Sequence, residues 1–269
     1  MNYTTEKASV NGFSMEYLKF GSGSRILVIL PGLSIQSVIP FAPAIVRQYE
    51  KFSNDFTVYL FDRRADVPPV YTVRDMALDT VSVMKSLGLD RISLFGTSQG
   101  GMMSMVIASE YPELVEKLVL VSTAMHVDEG RFSVIREWIS FAERKDSEGL
   151  YLSLGEKVYP KEFFEQNKDA FSMFATTVTD AELKKFITLA NGIKGFDVRQ
   201  KADNIRCPVL LAADEYDAVI QGKPYEEIRK HLQKNDRLEV RFFNGFGHAL
   251  YDTAPGFGKC MLDFLRVYN

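Results

Sequence analysis

The feature that most constrains this chain is a short stretch of four to six almost wholly apolar residues that recurs along it. It appears as Arg25-Ile-Leu-Val-Ile-Leu30, Phe56-Thr-Val-Tyr-Leu-Phe61, Ile92-Ser-Leu-Phe95, Leu118-Val-Leu-Val121 and Pro208-Val-Leu-Leu-Ala-Ala213. A strand apolar on both faces must be covered on both, which is the condition of a parallel sheet between layers of helices. Helical periodicity fills the gaps. Apolar positions 73, 76, 77, 81, 83, 84 and 87 share one helix face, and Gly88 is a natural stop. Gly100 to Ser109, Tyr225–Leu232 and Phe257–Val267 read as further helices, and Leu238–Phe243 as a further strand. Asn11-Gly12, at the centre of the alternating stretch Ala8 to Phe20, predicts a two-residue hairpin ahead of the parallel strands. The expected fold class is α/β, a mostly parallel, doubly wound sheet.

The alternation breaks between about Ala124 and Lys201, where there is no convincing buried strand. Amphipathic segments at Phe132–Arg144, Lys161–Phe174 and Asp180–Leu189 predict helices, and Thr179-Asp-Ala-Glu182 fits a capping box. The expected organisation is a core domain from residues 1–123 and 202–269, with an all-helical cap at 124–201 inserted after the sixth strand.

Charge excludes several classes. The chain has 32 Lys and Arg against 35 Asp and Glu, with no basic run, so nothing suggests a nucleic-acid partner. The longest apolar run, Ile26 to Leu30, is far too short to span a membrane. Met1 to Ser9 is polar and lacks an apolar signal-peptide core, so the cytoplasm is the expected location. Cys207 and Cys260 fit no metal-ligand spacing and are expected to be buried, reduced thiols. No metal or cofactor is expected, and the partner is a small-molecule substrate. The oligomeric state is open.

Gly96-Thr97-Ser98-Gln99-Gly100 fits G-x-S-x-G, a weak signal as a string. Its context strengthens it, because it ends an apolar strand and opens a helix, where a nucleophile elbow belongs. Side chains at 96 or 100 would collide with the neighbouring strand and helix. A serine hydroxyl is almost fully protonated at neutral pH and needs a base. Of the three histidines, His231 lies late in a polar helix and His126 begins the insertion, where it is a hinge residue or a site-lining one. His248 follows a strand in a glycine-rich loop, which brings it to the sheet edge of Ser98, so it is the expected base. An orienting carboxylate is also required. Asp214, Glu215 and Asp217 all follow the strand Val209–Ala213, and their spacing alone leaves the choice open.

With these residues in the order Ser, acid, His, the chain resembles the α/β-hydrolase superfamily over nearly its whole length. The resemblance implies that Asp217 is the acid, with Asp214 as runner-up. It implies oxyanion donors at the backbone N–H groups of Gln99 and of Leu33, the latter in the turn Pro31-Gly32-Leu33, where proline replaces the family's usual histidine. The loop Asp62-Arg63-Arg64-Ala65-Asp66 lacks the glycines common there; its arginines are expected to be solvated or packed in the loop, or else to touch an anionic substrate group. The insertion would cover Ser98. It carries Trp138, Phe141, Tyr151, Phe171 and Phe174 among many aromatics; most should pack core, and some, with His126 and Trp138 as candidates, should face substrate. The expected activity is that of a carboxylesterase-like serine hydrolase, acting through an acyl-enzyme on an ester, thioester or lactone of a small apolar acyl group. Carbon–carbon bond hydrolysis and proline-type aminopeptidase activity use the same triad, and a ligand-binding or signalling module with slow turnover is the alternative of another class.

Overall fold

The computed structural model describes residues 1–267. Its centre is an eight-stranded sheet in the order β1-β2-β4-β3-β5-β6-β7-β8. The strands are β1 Tyr3–Val10, β2 Phe13–Phe20, β3 Arg25–Leu30, β4 Phe56–Phe61, β5 Ile92–Thr97, β6 Val115–Val121, β7 Val209–Ala213 and β8 Leu238–Phe242. β1 and β2 form an antiparallel hairpin that joins β4 antiparallel, and every other pairing is parallel. The hairpin turn has Asn11 at φ 50° and Gly12 at φ 80°, the left-handed pair that Asn-Gly supplies with little strain.

The parallel strands show why both faces had to be apolar. Leu27 and Ile29 of β3, Val119 and Val121 of β6, and Leu210 and Ala212 of β7 join one core cluster with helices α1 (Ala42–Tyr49) and α10 (Phe257–Val267). Their neighbours Val28 and Leu30, Leu118 and Leu120, and Val209 and Leu211 join the other, under α2 (Val73–Ser86) and α3 (Gln99–Glu110). A period of two thus divides each strand between two cores. At the foot of the sheet the buried Lys117 Nζ donates to Leu265 O at 2.7 Å, which Arg25 Nη1 also reaches at 2.9 Å. Both cations thereby serve the last turn of α10, where helix carbonyls lack partners.

Four helices lie between β6 and β7: α4 Ser133–Glu143, α5 Ser147–Val158, α6 Lys161–Ala175 and α7 Asp180–Asn191. The remaining helices are α8 Pro224–His231 and the short α9 Leu250–Thr253. The capping box of α7 is complete, with Thr179 and Glu182 bonded reciprocally. α5 is not among the helices expected in this stretch, and it contains Gly149 and Gly155, residues of low helix propensity. Tertiary packing explains them. A Cβ at Gly149 would come within 2.6 Å of Phe141 Cε1, and one at Gly155 within 2.9 Å of Phe164 Cδ2. The glycines let α4 and α6 press against α5. Where the chain enters and leaves these helices its two arms pair: Val127 N donates to Phe196 O at 2.8 Å and Val198 N to Met125 O at 2.9 Å. Cys207 and Cys260 are unpaired and half-buried rather than fully buried, and burial raises the Cys207 thiol to about 12. Among the described residues no helix is long and apolar enough to cross a membrane.

Candidate active site

Ser98 stands between β5 and α3 with φ 52° and ψ −121°, a conformation that costs a residue with a side chain on the order of 1–3 kcal/mol. The surroundings impose it. Ser98 N donates to Val121 O at 3.0 Å, and Ser98 O accepts from Thr123 Oγ1 at 2.7 Å and from Met102 N at 3.1 Å. The flanking glycines are sterically required: a Cβ on Gly96 would lie 2.4 Å from Gly100 O, and one on Gly100 would lie 2.0 Å from Leu30 O. The turn therefore presses against β3 and lifts the serine away from the sheet. The Ser98 hydroxyl has no hydrogen-bond partner among the described residues.

His248 lies in a single 3₁₀ turn, Gly247–Ala249, between β8 and α9, and is 5% exposed. Its Nδ1 is 2.8 Å from Asp217 Oδ2. The other Asp217 oxygen accepts from Val219 N at 2.9 Å and Ile220 N at 3.0 Å, which fixes the carboxylate toward the imidazole. Asp214 does something else. Its Oδ2 accepts from both Phe246 N and Gly247 N at 2.8 Å, and its Oδ1 from Tyr216 N at 2.8 Å. It ties the loop after β7 to the loop that carries His248 and has no contact with the ring. Asn244 adds a second tie, accepting from Glu215 N at 3.2 Å and donating to Glu215 Oε2 at 2.9 Å.

Ser98 and His248 line one cavity of about 400 Å³. Its floor is Gly32, Leu33 and Thr97; its near wall is the loop after β3, from Ser34 to Val38 with Phe41. Its roof comes from the helices between β6 and β7, through Trp138, Tyr151, Tyr159, Phe171 and Phe174. Among the described residues, no ionisable side chain other than His248 and tyrosines lines it. Gln36 joins wall to roof, accepting from Tyr151 Oη at 2.7 Å while its Nε2 lies 3.3 Å from Glu182 Oε1. Phe41 meets Phe174 edge-on at 5.5 Å. Trp138 is held by a hydrogen bond from Nε1 to Ser153 Oγ at 3.2 Å.

His126 does not line this cavity. Its Nδ1 lies 3.7 Å from Glu227 Oε1, and its backbone bridges Asp197 at the paired arms of the inserted helices. Glu227, on α8, also takes Arg131 Nη1 and Arg199 Nη1, so His126 belongs to a charged cluster that pins both arms to α8. The expectation that His126 faces substrate is thus corrected, and its place is the hinge of the insertion. The arginines after β4 are packed rather than solvated. Arg63 is 5% exposed, and its Nη2 donates to Pro31 O at 2.8 Å and to Gln99 Oε1 at 3.0 Å. Gln99 in turn donates through Nε2 to Leu189 O on α7 at 2.8 Å. Arg64 pairs with Asp79 at 3.1 Å and lies over the ring of Phe13. Neither arginine reaches the cavity. The wall residues Ser34 to Val38, with Tyr159 and Tyr251, carried no sequence signal, since single residues in irregular segments show no periodicity. Among the described residues no group of three or more His, Cys, Asp or Glu side chains is placed to hold a metal.

Residues 25–255 match the family model of the alpha/beta hydrolase fold, and the chain belongs to that family. It is 31% identical over 279 residues to the serine hydrolase BPHL of Mus musculus, covering 98% of this chain and 87% of the relative. Among solved structures it superposes on MGS-M2, an alpha/beta hydrolase enzyme from a Medee basin deep-sea metagenome library, with TM-score 0.85 and 19% identity over 97% of each chain. The enol-lactonase from Burkholderia xenovorans LB400 superposes with TM-score 0.82 and 19% identity, over 97% of this chain and 99% of that one. At such identity the structural likeness concerns the fold. The chain is thus a hydrolase of the alpha/beta family.

Proposed function

We propose that this protein is a serine hydrolase that cleaves a neutral ester, thioester or lactone with an apolar acyl group. One observation carries the reading: the hydrogen-bonded pair His248–Asp217 lines the same cavity as a serine held in a strained strand-to-helix turn. Ser98 Oγ attacks the acyl carbon as His248 Nε2 takes its proton, and Asp217, at Nδ1, holds the tautomer and stabilises the imidazolium. The N–H groups of Gln99 and Leu33 receive the oxyanion, the first at the N-terminus of α3 where the helix dipole adds to it. His248 then returns the proton to the leaving atom. Water, deprotonated by the same imidazole, hydrolyses the acyl-enzyme. The mouse relative's name as a serine hydrolase agrees with Ser98 in this role. The helices α4 to α7 act as a cap, and their aromatic side chains with no ionic partner favour an uncharged acyl group.

The test is a panel of nitrophenyl esters of increasing acyl length. Native protein should turn over many times, at a rate within the usual ~1–1000 per second. Ser98→Ala and His248→Ala should each lose at least about a thousandfold in kcat/KM. A burst that stalls after one acylation would favour a ligand-binding or signalling module instead. Activity that survives Ser98→Ala would remove the serine mechanism, and failure of a fluorophosphonate to label Ser98 would show an unarmed hydroxyl.

A further inference from the structure

Three tyrosines line the cavity, and they differ in what their hydroxyls do. Tyr151 donates to Gln36 Oε1 at 2.7 Å. The hydroxyls of Tyr159, immediately after α5, and of Tyr251, on α9, have no hydrogen-bond partner among the described residues. Among the described residues the buried side-chain polar atoms without a partner are Arg63 Nε, Arg64 Nε and Ser122 Oγ. The two phenol oxygens are not among them, so they are not sealed in packing, and both residues line the cavity. A polar hydrogen on an otherwise apolar wall is costly to cover with a substrate that cannot accept it. It is useful against one that can.

Both tyrosines flank His248. Tyr251 follows it by three residues on the same segment, and the Val158 carbonyl preceding Tyr159 abuts the His248 turn, 3.5 Å from where a Cβ on Gly247 would stand. Leu33, the oxyanion donor that lines the cavity, sits in the loop after β3 and not on the segment of His248. Because the histidine must hand its proton to the leaving atom, the group beside it is the leaving group. Burial pushes both phenols above the usual tyrosine range, with the Asp252 carboxylate adding to the effect, so both remain protonated donors at neutral pH. Among the described residues no Asp, Glu, Lys or Arg lines the cavity to pair with a charged substrate.

We propose that Tyr159 and Tyr251 form a hydrogen-bonding subsite for the leaving group, and that the substrate is an ester whose alcohol carries a further neutral oxygen acceptor, such as an ether, hydroxyl or carbonyl. This rests on the reading of Ser98 and His248 as nucleophile and base. A site built around such donors discriminates against an isostere that leaves them dry.

The experiment compares 2-methoxyethyl hexanoate with butyl hexanoate, near-isosteres that differ in one ether oxygen of the alcohol. It uses native protein, Tyr159→Phe, Tyr251→Phe and the double variant. Native protein should prefer the methoxyethyl ester in kcat/KM by about five- to tenfold or more, as expected for one or two neutral hydrogen bonds. The preference should fall in each single variant and approach unity in the double, and any general loss of turnover cancels in the ratio. Moving the ether oxygen into the acyl chain should abolish the tyrosine dependence. A native ratio near unity, a preference that survives in the double variant, or a tyrosine dependence that follows the acyl oxygen would each overturn the proposal. If neither ester is consumed and a fluorophosphonate leaves Ser98 unlabelled, the hydrolase reading has failed by itself. The subsite is then read from calorimetric binding of the two esters: the same tyrosine-dependent ratio supports it, and equal or undetectable binding overturns it.

Discussion

At the scale of single residues, two aspartates three positions apart separate into different tasks. Asp217 has one oxygen on the imidazole and one on two backbone N–H groups, whereas Asp214 gives both oxygens to the backbone. Asp217→Asn keeps an acceptor for Val219 and Ile220 but favours the wrong histidine tautomer. It should cut kcat by on the order of 10³–10⁴ with Tm near native. Asp214→Ala leaves three N–H groups short of an acceptor and should cost about 1–3 kcal/mol of stability in denaturant titration. Should Asp214→Ala prove the more damaging to kcat in the still-folded protein, the assignment of the acid would be reversed. The G-x-S-x-G string was legible because its requirement is local, small residues around a sharp turn. The choice between the aspartates was not, since it depends on which carboxylate the chain turns toward a ring 31 residues away.

Among elements, Arg63 joins the segments that carry both proposed oxyanion donors. One guanidinium nitrogen donates to Pro31 O, two residues before Leu33, and to the Gln99 side chain, which α7 holds from its other end. Arg63 is a positioning residue in this arrangement. Arg63→Met keeps bulk in the buried site and removes both bonds. The expected result is a fall in kcat of about tenfold or more with KM little changed, since misplacement is felt most by the transition state. A fall in Tm with kcat intact would reduce Arg63 to packing. Element by element, α1 went unread, whereas the parallel strands and most other amphipathic helices were legible within a residue or two at most ends. α5 was not, because Gly149 and Gly155 weaken it locally and are demanded by the side chains of α4 and α6.

For the whole molecule, charged contacts connect parts that the hydrophobic pattern leaves independent. Glu110, at the end of α3, takes Arg74 from α2 at 2.8 Å and Lys201 from the segment leaving the inserted helices at 2.6 Å. Hydrogen bonds from Arg74 and Lys201 hold its carboxyl below the ordinary carboxylate range. The unfolded chain therefore binds more protons than the folded one as pH drops through that range. The contribution is full above the ordinary glutamate value and is lost as pH falls through the lowered one. For a partly exposed pair it amounts to a few tenths to about 1 kcal/mol. Glu110→Gln should lower Tm slightly at neutral pH and flatten its fall between about pH 5 and 3. Identical slopes in the two proteins would remove Glu110 from the acid response.

The sequence by itself determined the layered sheet and the position of its strained serine. Both follow from short-range requirements: strands apolar on two faces, a hairpin at Asn11-Gly12, and glycines at 96 and 100. It also put His248 and the acids at the correct edge, because loops that follow parallel strands leave on the same side. Tertiary structure alone decided which carboxylate meets the imidazole, that His126 stands at the arms of the insertion, and that Arg63 lies buried behind the turn at Pro31. It alone decided that Tyr159 and Tyr251 line the same cavity as His248. Each of these depends on contacts between residues tens of positions apart, whose orientation no local pattern encodes and only packing of the helices onto the sheet selects.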